Sequence, residues 1–175
     1  DTFHALSQAL VDFPGAQVFR AIGCYTLGAL PPYNAVDTCV RMGASVSMAQ
    51  GGSDAGIYPS VGVIGDSTFA HSGITPLLDA VAAQTDMTLV IVDNASVAMT
   101  GGQPTSLSGE KLLQIIRGSG VSPEHIRVLS PLPKYLQENT RIFKEEIAFR
   151  GLSVVVSVRE CVQETRKRSK SKGAV

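Results

Sequence analysis

Two apolar segments of the chain, VGVIGDST (residues 61–68) and LVIVDN (residues 89–94), each run directly into polar residues. Continuous apolar runs of this length, rich in β-branched residues, are typical of strands that are buried on both faces of a parallel sheet. The residues between them repeat at intervals of three and four, which predicts one apolar stripe on a helix: Ile74, Leu77, Leu78, Val81 and Ala82. A strand, a helix and a second strand in this order indicate a parallel α/β sheet.

The rest of the chain continues the alternation of short apolar runs and helical periodicity. We predict helices over residues 3–10, 37–50, 112–116 and 136–147, and strands over 17–22, 126–129 and 154–156. Pro14 should stop the first helix, and Arg150 with Gly151 should close the last one. The fold class is therefore α/β: a doubly wound, mainly parallel sheet with helices on both faces. Residues 1–160 are expected to form one domain, followed by a basic, flexible tail over residues 161–175.

Composition excludes several classes of protein. Hydrophobic residues make up 44% of the chain and charged residues 17%, and no apolar run reaches membrane-spanning length. Three widely spaced cysteines cannot build a disulfide framework, a zinc site or an iron–sulfur site, so we expect a reducing cytoplasm. The basic residues near the C-terminus have no aromatic residues among them, which argues against binding of nucleic acid. We expect them to be a solvated extension, with docking to an acidic partner as the alternative.

Polar side chains follow both central strands, at the sheet edge where ligands bind in open α/β folds. Asp66 offers a carboxylate oxygen and Asn94 an amide oxygen, and a backbone carbonyl at Ser96 could complete a magnesium site. Gly65 would let a phosphate approach the backbone, and the amides after Asp66 could bind a diphosphate. Ordinary turns with a helix N-cap are the alternative interpretation of each motif taken singly.

The amino-acid sequences of these and other motifs resemble those of a known family. The resemblance lies in GDSTFAHSG (65–73), DN (93–94), AMTGGQP (98–104), IGCYTLGALPP (22–32), DTC (37–39), MGAS (42–45) and MAQG (48–51). Together these motifs resemble the thiamine diphosphate-binding domain of indolepyruvate ferredoxin oxidoreductases, over nearly the whole chain to about Cys161. The broader thiamine diphosphate signature begins with Gly-Asp-Gly and ends with Asn-Asn, and two residues depart from it. Ser67 stands in place of the glycine that is usually the third residue, and Asp93 in place of the first asparagine.

The resemblance implies a role for each matching residue. Magnesium would be held by Asp66, Asn94 and the carbonyl of Ser96, and the diphosphate by Gly65, Ser67 and Thr68. The remaining predicted cofactor contacts are Gly23, Cys24, Met42 and Gly43 near the two rings, and Met99, Thr100 and Gly101 in a segment that closes over the cofactor.

The resemblance also implies an activity. It is the oxidative decarboxylation of a 2-oxo acid, such as indolepyruvate, to an acyl-coenzyme A with ferredoxin as electron acceptor. This chain would be incomplete alone, because the activating glutamate belongs to a pyrimidine-binding domain and the iron–sulfur clusters to another domain or subunit. A second subunit and an oligomer are therefore expected. Two alternatives stay open: a non-oxidative thiamine-dependent decarboxylase or synthase, and a non-catalytic subunit with this fold.

Single residues also admit two interpretations. Cys24 could be a nucleophile, but a buried thiol that packs against the cofactor is favoured, because the sequence places no histidine to activate it. His71 is a possible catalytic proton donor, or simply a residue in the first turn of a helix. Met42 and Met99 could fill the core or contact the cofactor.

Overall fold

The computed structural model describes residues 1–161 and residue 165. The predicted basic tail therefore lies outside the described residues, apart from Cys161 and Thr165. In chain order the elements are α1 Thr2–Leu10, β1 Gln17–Arg20, β2 Thr38–Cys39, α2 Ala44–Asp54, β3 Ser60–Gly65, α3 Asp66–Ser72, α4 Ile74–Ala82, β4 Met87–Asp93, β5 Ser96–Val97, β6 Gln103–Pro104, α5 Gly109–Gly118, β7 Ile126–Leu129, α6 Leu136–Ala148 and β8 Leu152–Val158. A 3₁₀ helix over Cys24–Ala29 follows β1.

Six strands form one sheet in the order β2-β1-β3-β4-β8-β7, and every neighbouring pair is parallel. This arrangement confirms the predicted parallel α/β sheet. The chain leaves β1 towards β2 on one side and then returns to β3 on the other side. The strand order thus reverses between β1 and β3, and their carboxyl ends flank the crevice where open α/β sheets bind ligands. A separate antiparallel pair, β5 and β6, lies in the loop after β4.

Helices cover both faces of the sheet, as predicted. On one face, Gly62 of β3 lies so close to α2 that an added Cβ would be 3.4 Å from the Cβ of Ala49, and 3.3 Å from Leu89 beside it. On the other face, Thr88 of β4 donates a hydrogen bond of 3.0 Å to the carbonyl of Glu146 in α6. Because successive strand residues point to opposite faces, α2 and α6 cover opposite sides. In the described part of the chain, no helix is long and apolar enough to cross a membrane.

The helix predicted over residues 37–50 begins later than expected. Residues 38 and 39 form the edge strand β2 beside β1, and α2 starts only at Ala44. One hydrogen bond and one backbone conformation explain the difference. The Asp37 carboxylate accepts a 2.7 Å hydrogen bond from the Val18 amide, which holds this segment against the sheet. Gly43 then has a φ of 82°, a left-handed conformation that interrupts the chain before the helix.

The last helix does not reach Arg150, which was predicted to close it. Helix α6 stops at Ala148, so Arg150 is not part of its last turn. Arg150 instead places its guanidinium 3.3 Å from the centre of the Tyr58 ring. The hydroxyl of Tyr58 donates a 2.8 Å hydrogen bond to the carbonyl of Ala148, and Phe149 is already extended, so the helix ends before Arg150.

Candidate functional site

A cavity of about 580 Å³ opens at the carboxyl edge of the sheet, at the crevice between β1 and β3. Four segments and three single residues line it: residues 1–3, 22–25, 65–68 and 96–100, with Met42, Val92 and Asn94. Its walls are mostly apolar, and among the described residues Asp1 and Asp66 supply its acidic side chains. Within the same part of the chain, no lysine, arginine or histidine lines this cavity.

Asp66 is the most buried polar residue of the cavity lining. It is the first residue of α3, directly after β3, and only 2% of its surface is exposed. Its Oδ1 accepts a 2.7 Å hydrogen bond from the Ser67 amide, whereas its Oδ2 is buried without a hydrogen-bond partner. Burial, together with the nearby carboxylate of Asp93, raises the pKa of Asp66 to about 6. A buried oxygen of this kind would be satisfied by a metal ion.

Asn94 and Ser96 bring further oxygen atoms to the same cavity. The Asn94 Oδ1 accepts a 2.9 Å hydrogen bond from the Ser96 amide, which leaves one lone pair for a ligand. The Ser96 hydroxyl is buried and has no hydrogen-bond partner. Among the described residues, no three His, Cys, Asp or Glu side chains come together to form a metal site. A cation beside Asp66 would therefore depend on amide, carbonyl and ligand oxygens.

Asp93 has a structural role that the sequence did not reveal. Its Oδ1 accepts a hydrogen bond from the Ala95 amide (3.1 Å) and its Oδ2 one from the Gly109 amide (2.7 Å). One buried carboxylate thus joins both ends of the loop over residues 94–108 and holds Asn94 at the cavity. An asparagine in this position would have a single acceptor oxygen.

Tyr25 is a cavity residue for which sequence reasoning assigned no role. It is 7% exposed, and its hydroxyl donates a 2.9 Å hydrogen bond to the Ile22 carbonyl. Its ring lies against Gly23 and Gly65, where a Cβ on either glycine would collide with it. The glycines at two strand ends were the available signal, but the side chain that requires them comes from the 3₁₀ helix after β1.

Cys24 is exposed at the rim of the cavity, which corrects the prediction of a buried thiol. Partial burial of the sulfur and the nearby Cys161 raise the pKa of the Cys24 thiol. A raised pKa leaves less thiolate at neutral pH, so the nucleophile interpretation is also disfavoured.

Three predicted site residues do not line the cavity. His71 is exposed near the end of α3, with its Nδ1 3.0 Å from the Ser72 hydroxyl. Gly43 precedes α2, and the Ser72 side chain occupies the space beside it. Gly101 has a φ of 125° in the turn before β6.

The other predicted residues all line the cavity: Gly23, Cys24, Met42, Gly65, Asp66, Ser67, Thr68, Asn94, Ser96, Met99 and Thr100. Met42 is 44% exposed and Met99 is 66% exposed, so neither fills the core.

Sequence comparison identifies related proteins. The family model described as thiamine pyrophosphate enzyme, C-terminal TPP binding domain, matches residues 21–131. Indolepyruvate oxidoreductase subunit IorA of Methanothermobacter thermautotrophicus is 37% identical over 151 residues, which are 81% of this chain and 24% of that protein. The protein of the same name from Archaeoglobus fulgidus is 33% identical over 170 residues, or 91% of this chain and 27% of that protein. The chain thus spans about a quarter of the length of these curated relatives.

Solved structures share the fold at low sequence identity. The 2-oxoglutarate:ferredoxin oxidoreductase of Magnetococcus marinus superposes with a TM-score of 0.74 at 14% identity, covering 91% of this chain and 60% of the other. The thiamine diphosphate-dependent 4-hydroxybenzoylformate decarboxylase of Rhodococcus jostii RHA1 gives a TM-score of 0.61 at 17% identity, covering 91% of this chain and 32% of the other.

Proposed function

Because the chain belongs to the thiamine pyrophosphate enzyme family, as its C-terminal cofactor-binding domain, we propose that its cavity holds the diphosphate end of thiamine diphosphate together with Mg²⁺. One observation carries the proposal: the Oδ2 atom of Asp66 is buried without a hydrogen-bond partner, in a cavity that no cationic side chain of the described residues lines. A magnesium ion would satisfy this oxygen and neutralise part of the diphosphate charge. One ion would thus both coordinate the buried oxygen and reduce the negative charge around the diphosphate.

Three residues of the cavity lining are the proposed metal ligands. Asp66 would supply a carboxylate oxygen, Asn94 its amide oxygen and Ser96 its backbone carbonyl. The diphosphate would lie against Gly65 and the backbone amides at the start of α3, where N–H groups have no partner within the helix. Because the Ser67 amide already donates to Asp66, the Thr68 amide is the freer donor.

The apolar part of the cavity suits the rings of the cofactor. Gly23 and Cys24 lie on one side of the cavity, and Met42, Met99 and Thr100 complete its lining. We propose that Gly43 and Gly101 act from outside the lining, by setting the backbone next to Met42 and Thr100. When bound, thiamine diphosphate supplies the electron sink for decarboxylation of a 2-oxo acid. This chain would bind and orient the cofactor.

For the whole protein, we propose a 2-oxo acid:ferredoxin oxidoreductase of the indolepyruvate type that forms an acyl-coenzyme A. The names of the curated relatives and the resemblance of the sequence motifs support this proposal. The activating glutamate, the iron–sulfur clusters and the sites for coenzyme A and ferredoxin would lie on other domains or subunits. The three cysteines of the chain are too few and too scattered for clusters, and they suit a reducing cytoplasm.

Calorimetric titration tests the cofactor site. Thiamine diphosphate should bind the chain in the presence of Mg²⁺ and lose affinity when EDTA is added. Asp66→Ala should abolish the metal dependence, because it removes the anionic ligand. Asp79→Asn, a change at an exposed acid of α4, serves as the control and should bind as the parent does. Equal affinity of the parent chain with and without Mg²⁺ would refute the site.

Product analysis tests the proposed reaction once the missing domains or subunits are supplied. An oxidoreductase should yield an acyl-coenzyme A thioester and reduced ferredoxin from a 2-oxo acid. A free aldehyde would instead identify a non-oxidative decarboxylase. Failure to bind thiamine diphosphate at any concentration would point to a non-catalytic subunit.

A further inference from the structure

One backbone carbonyl joins the two sides of the crevice. The carbonyl of Ile22, just after β1, accepts a hydrogen bond of 2.9 Å from the Tyr25 hydroxyl. It also accepts a longer one, 3.5 Å, from the hydroxyl of Thr68 in α3. The segment after β1 is thereby tied to the helix that begins with Asp66.

The ring of Tyr25 lies between Gly23, in the segment after β1, and Gly65, the last residue of β3. A Cβ added to Gly65 would lie 2.8 Å from a ring carbon of Tyr25, and one added to Gly23 would overlap the same ring. Real Cβ atoms do not approach a ring carbon this closely, so the ring is in full contact with both glycine backbones. Since the ring cannot be compressed, it sets the distance between the segment after β1, at Gly23, and the last residue of β3, Gly65.

Asp66 directly follows Gly65, so its position depends on this contact. We propose that Tyr25 is a positioning residue for the metal-holding carboxylate of Asp66 and acts through Gly65 and the Ile22 carbonyl. This inference rests on the proposed function, because it concerns the same cofactor site. It assigns to Tyr25 no contact with the reacting atoms.

The state of the Tyr25 hydroxyl agrees with this role. Burial is the main cause that raises the pKa of Tyr25 above its usual value. The phenol therefore stays protonated at neutral pH and remains a donor to the Ile22 carbonyl.

Two substitutions separate the contributions of the hydroxyl and the ring. Tyr25→Phe keeps the ring between the glycines and removes only the hydrogen bond, so the Mg²⁺ concentration for half-maximal cofactor binding should rise about tenfold. Tyr25→Leu also removes the aromatic spacer and should raise it further. Tyr135→Phe is the matched control, because Tyr135 lies outside the cavity lining, and it should stay within about twofold of the parent.

The readout is the Mg²⁺ titration of thiamine diphosphate binding by calorimetry, well below the melting temperature of each variant. A purely structural role would lower the melting temperature and leave the Mg²⁺ titration of the folded protein unchanged, which would overturn the inference. If Tyr25→Leu does not fold, Tyr25→Phe alone decides between these outcomes.

Failure of this inference is distinguishable from failure of the proposed function. If the parent binds the cofactor only with Mg²⁺, Asp66→Asn shows no Mg²⁺-dependent binding, and every Tyr25 variant that folds titrates as the parent does, then the positioning role is wrong and the cofactor site stands. If the parent shows no Mg²⁺-dependent binding, both are wrong.

Discussion

Replacing Asp66 with asparagine should stabilise the metal-free protein and prevent its stabilisation by cofactor and Mg²⁺. Burial raises the pKa of Asp66 to about 6 from an ordinary value of 3.8. Because the folded protein binds this proton more tightly than the unfolded chain, stability falls as the pH rises from about 4 to about 6, and the penalty is complete above that range. A pKa raised from 3.8 to about 6 corresponds to about 3 kcal/mol, which is the upper limit of the gain from Asp66→Asn.

Thermal unfolding across the pH range measures this effect. Without metal, Asp66→Asn should melt above the parent at pH 8, by about 2–4 °C for each kcal/mol gained, and the difference should disappear near pH 4. Asp79→Asn, at an exposed acid, should show no such pH-dependent difference. With Mg²⁺ and thiamine diphosphate the order should reverse, since only the parent keeps the carboxylate. A variant that melts at or below the parent at pH 8 without metal would refute the argument.

Four further outcomes are expected. Gly65→Ala should lower both the melting temperature and the cofactor affinity, because its Cβ meets the Tyr25 ring at 2.8 Å. Gly51→Ala, in α2 with no atom within 4 Å of the added Cβ, should be neutral or stabilising by about 1 kcal/mol in the same melts. Glu146→Ala should destabilise the fold by about 3 kcal/mol in denaturant titrations, because the buried carboxylate pairs with Arg127 at 3.0 Å, yet leave calorimetric cofactor affinity unchanged. The chain alone should not turn over a 2-oxo acid in an assay for released carbon dioxide. Full oxidative decarboxylation would contradict the proposal that the activating glutamate and the iron–sulfur clusters lie on other domains or subunits.

The local pattern of the sequence was enough to predict the parallel sheet and the sheet edge at which the cavity opens. The central strands were found because continuous apolar, β-branched runs mark strands that are buried on both faces. The predicted strand over residues 126–129 has the same bounds in the structure. Asp66 and Asn94 were found because parallel strands bring their carboxyl ends to one edge, so a polar residue after each strand predicts a shared site.

Other features required the tertiary structure. Periodicity does not show that Asp93 closes the loop over residues 94–108, since the second of its two amide donors, Gly109, is remote from it in sequence. It also does not show that Cys24 is exposed, or that His71 lies outside the cavity lining.

The segment from Gly65 to Asn94 has some features that the local sequence predicts and others that only tertiary packing decides. The strand over residues 89–92, the helix with the stripe Ile74 to Ala82, and the polar residues Asp66 and Asn94 at the strand ends were predicted from residues adjacent in the chain, because hydrophobic periodicity and strand ends are local properties. The short helix over Asp66–Ser72 was not predicted separately. The surroundings that give Asp66 a raised pKa and an unpartnered oxygen were not predicted. They arise where the ends of β3 and β4 lie side by side and bury Asp66 near the Asp93 carboxylate, and such contacts depend on packing between residues that are far apart in sequence.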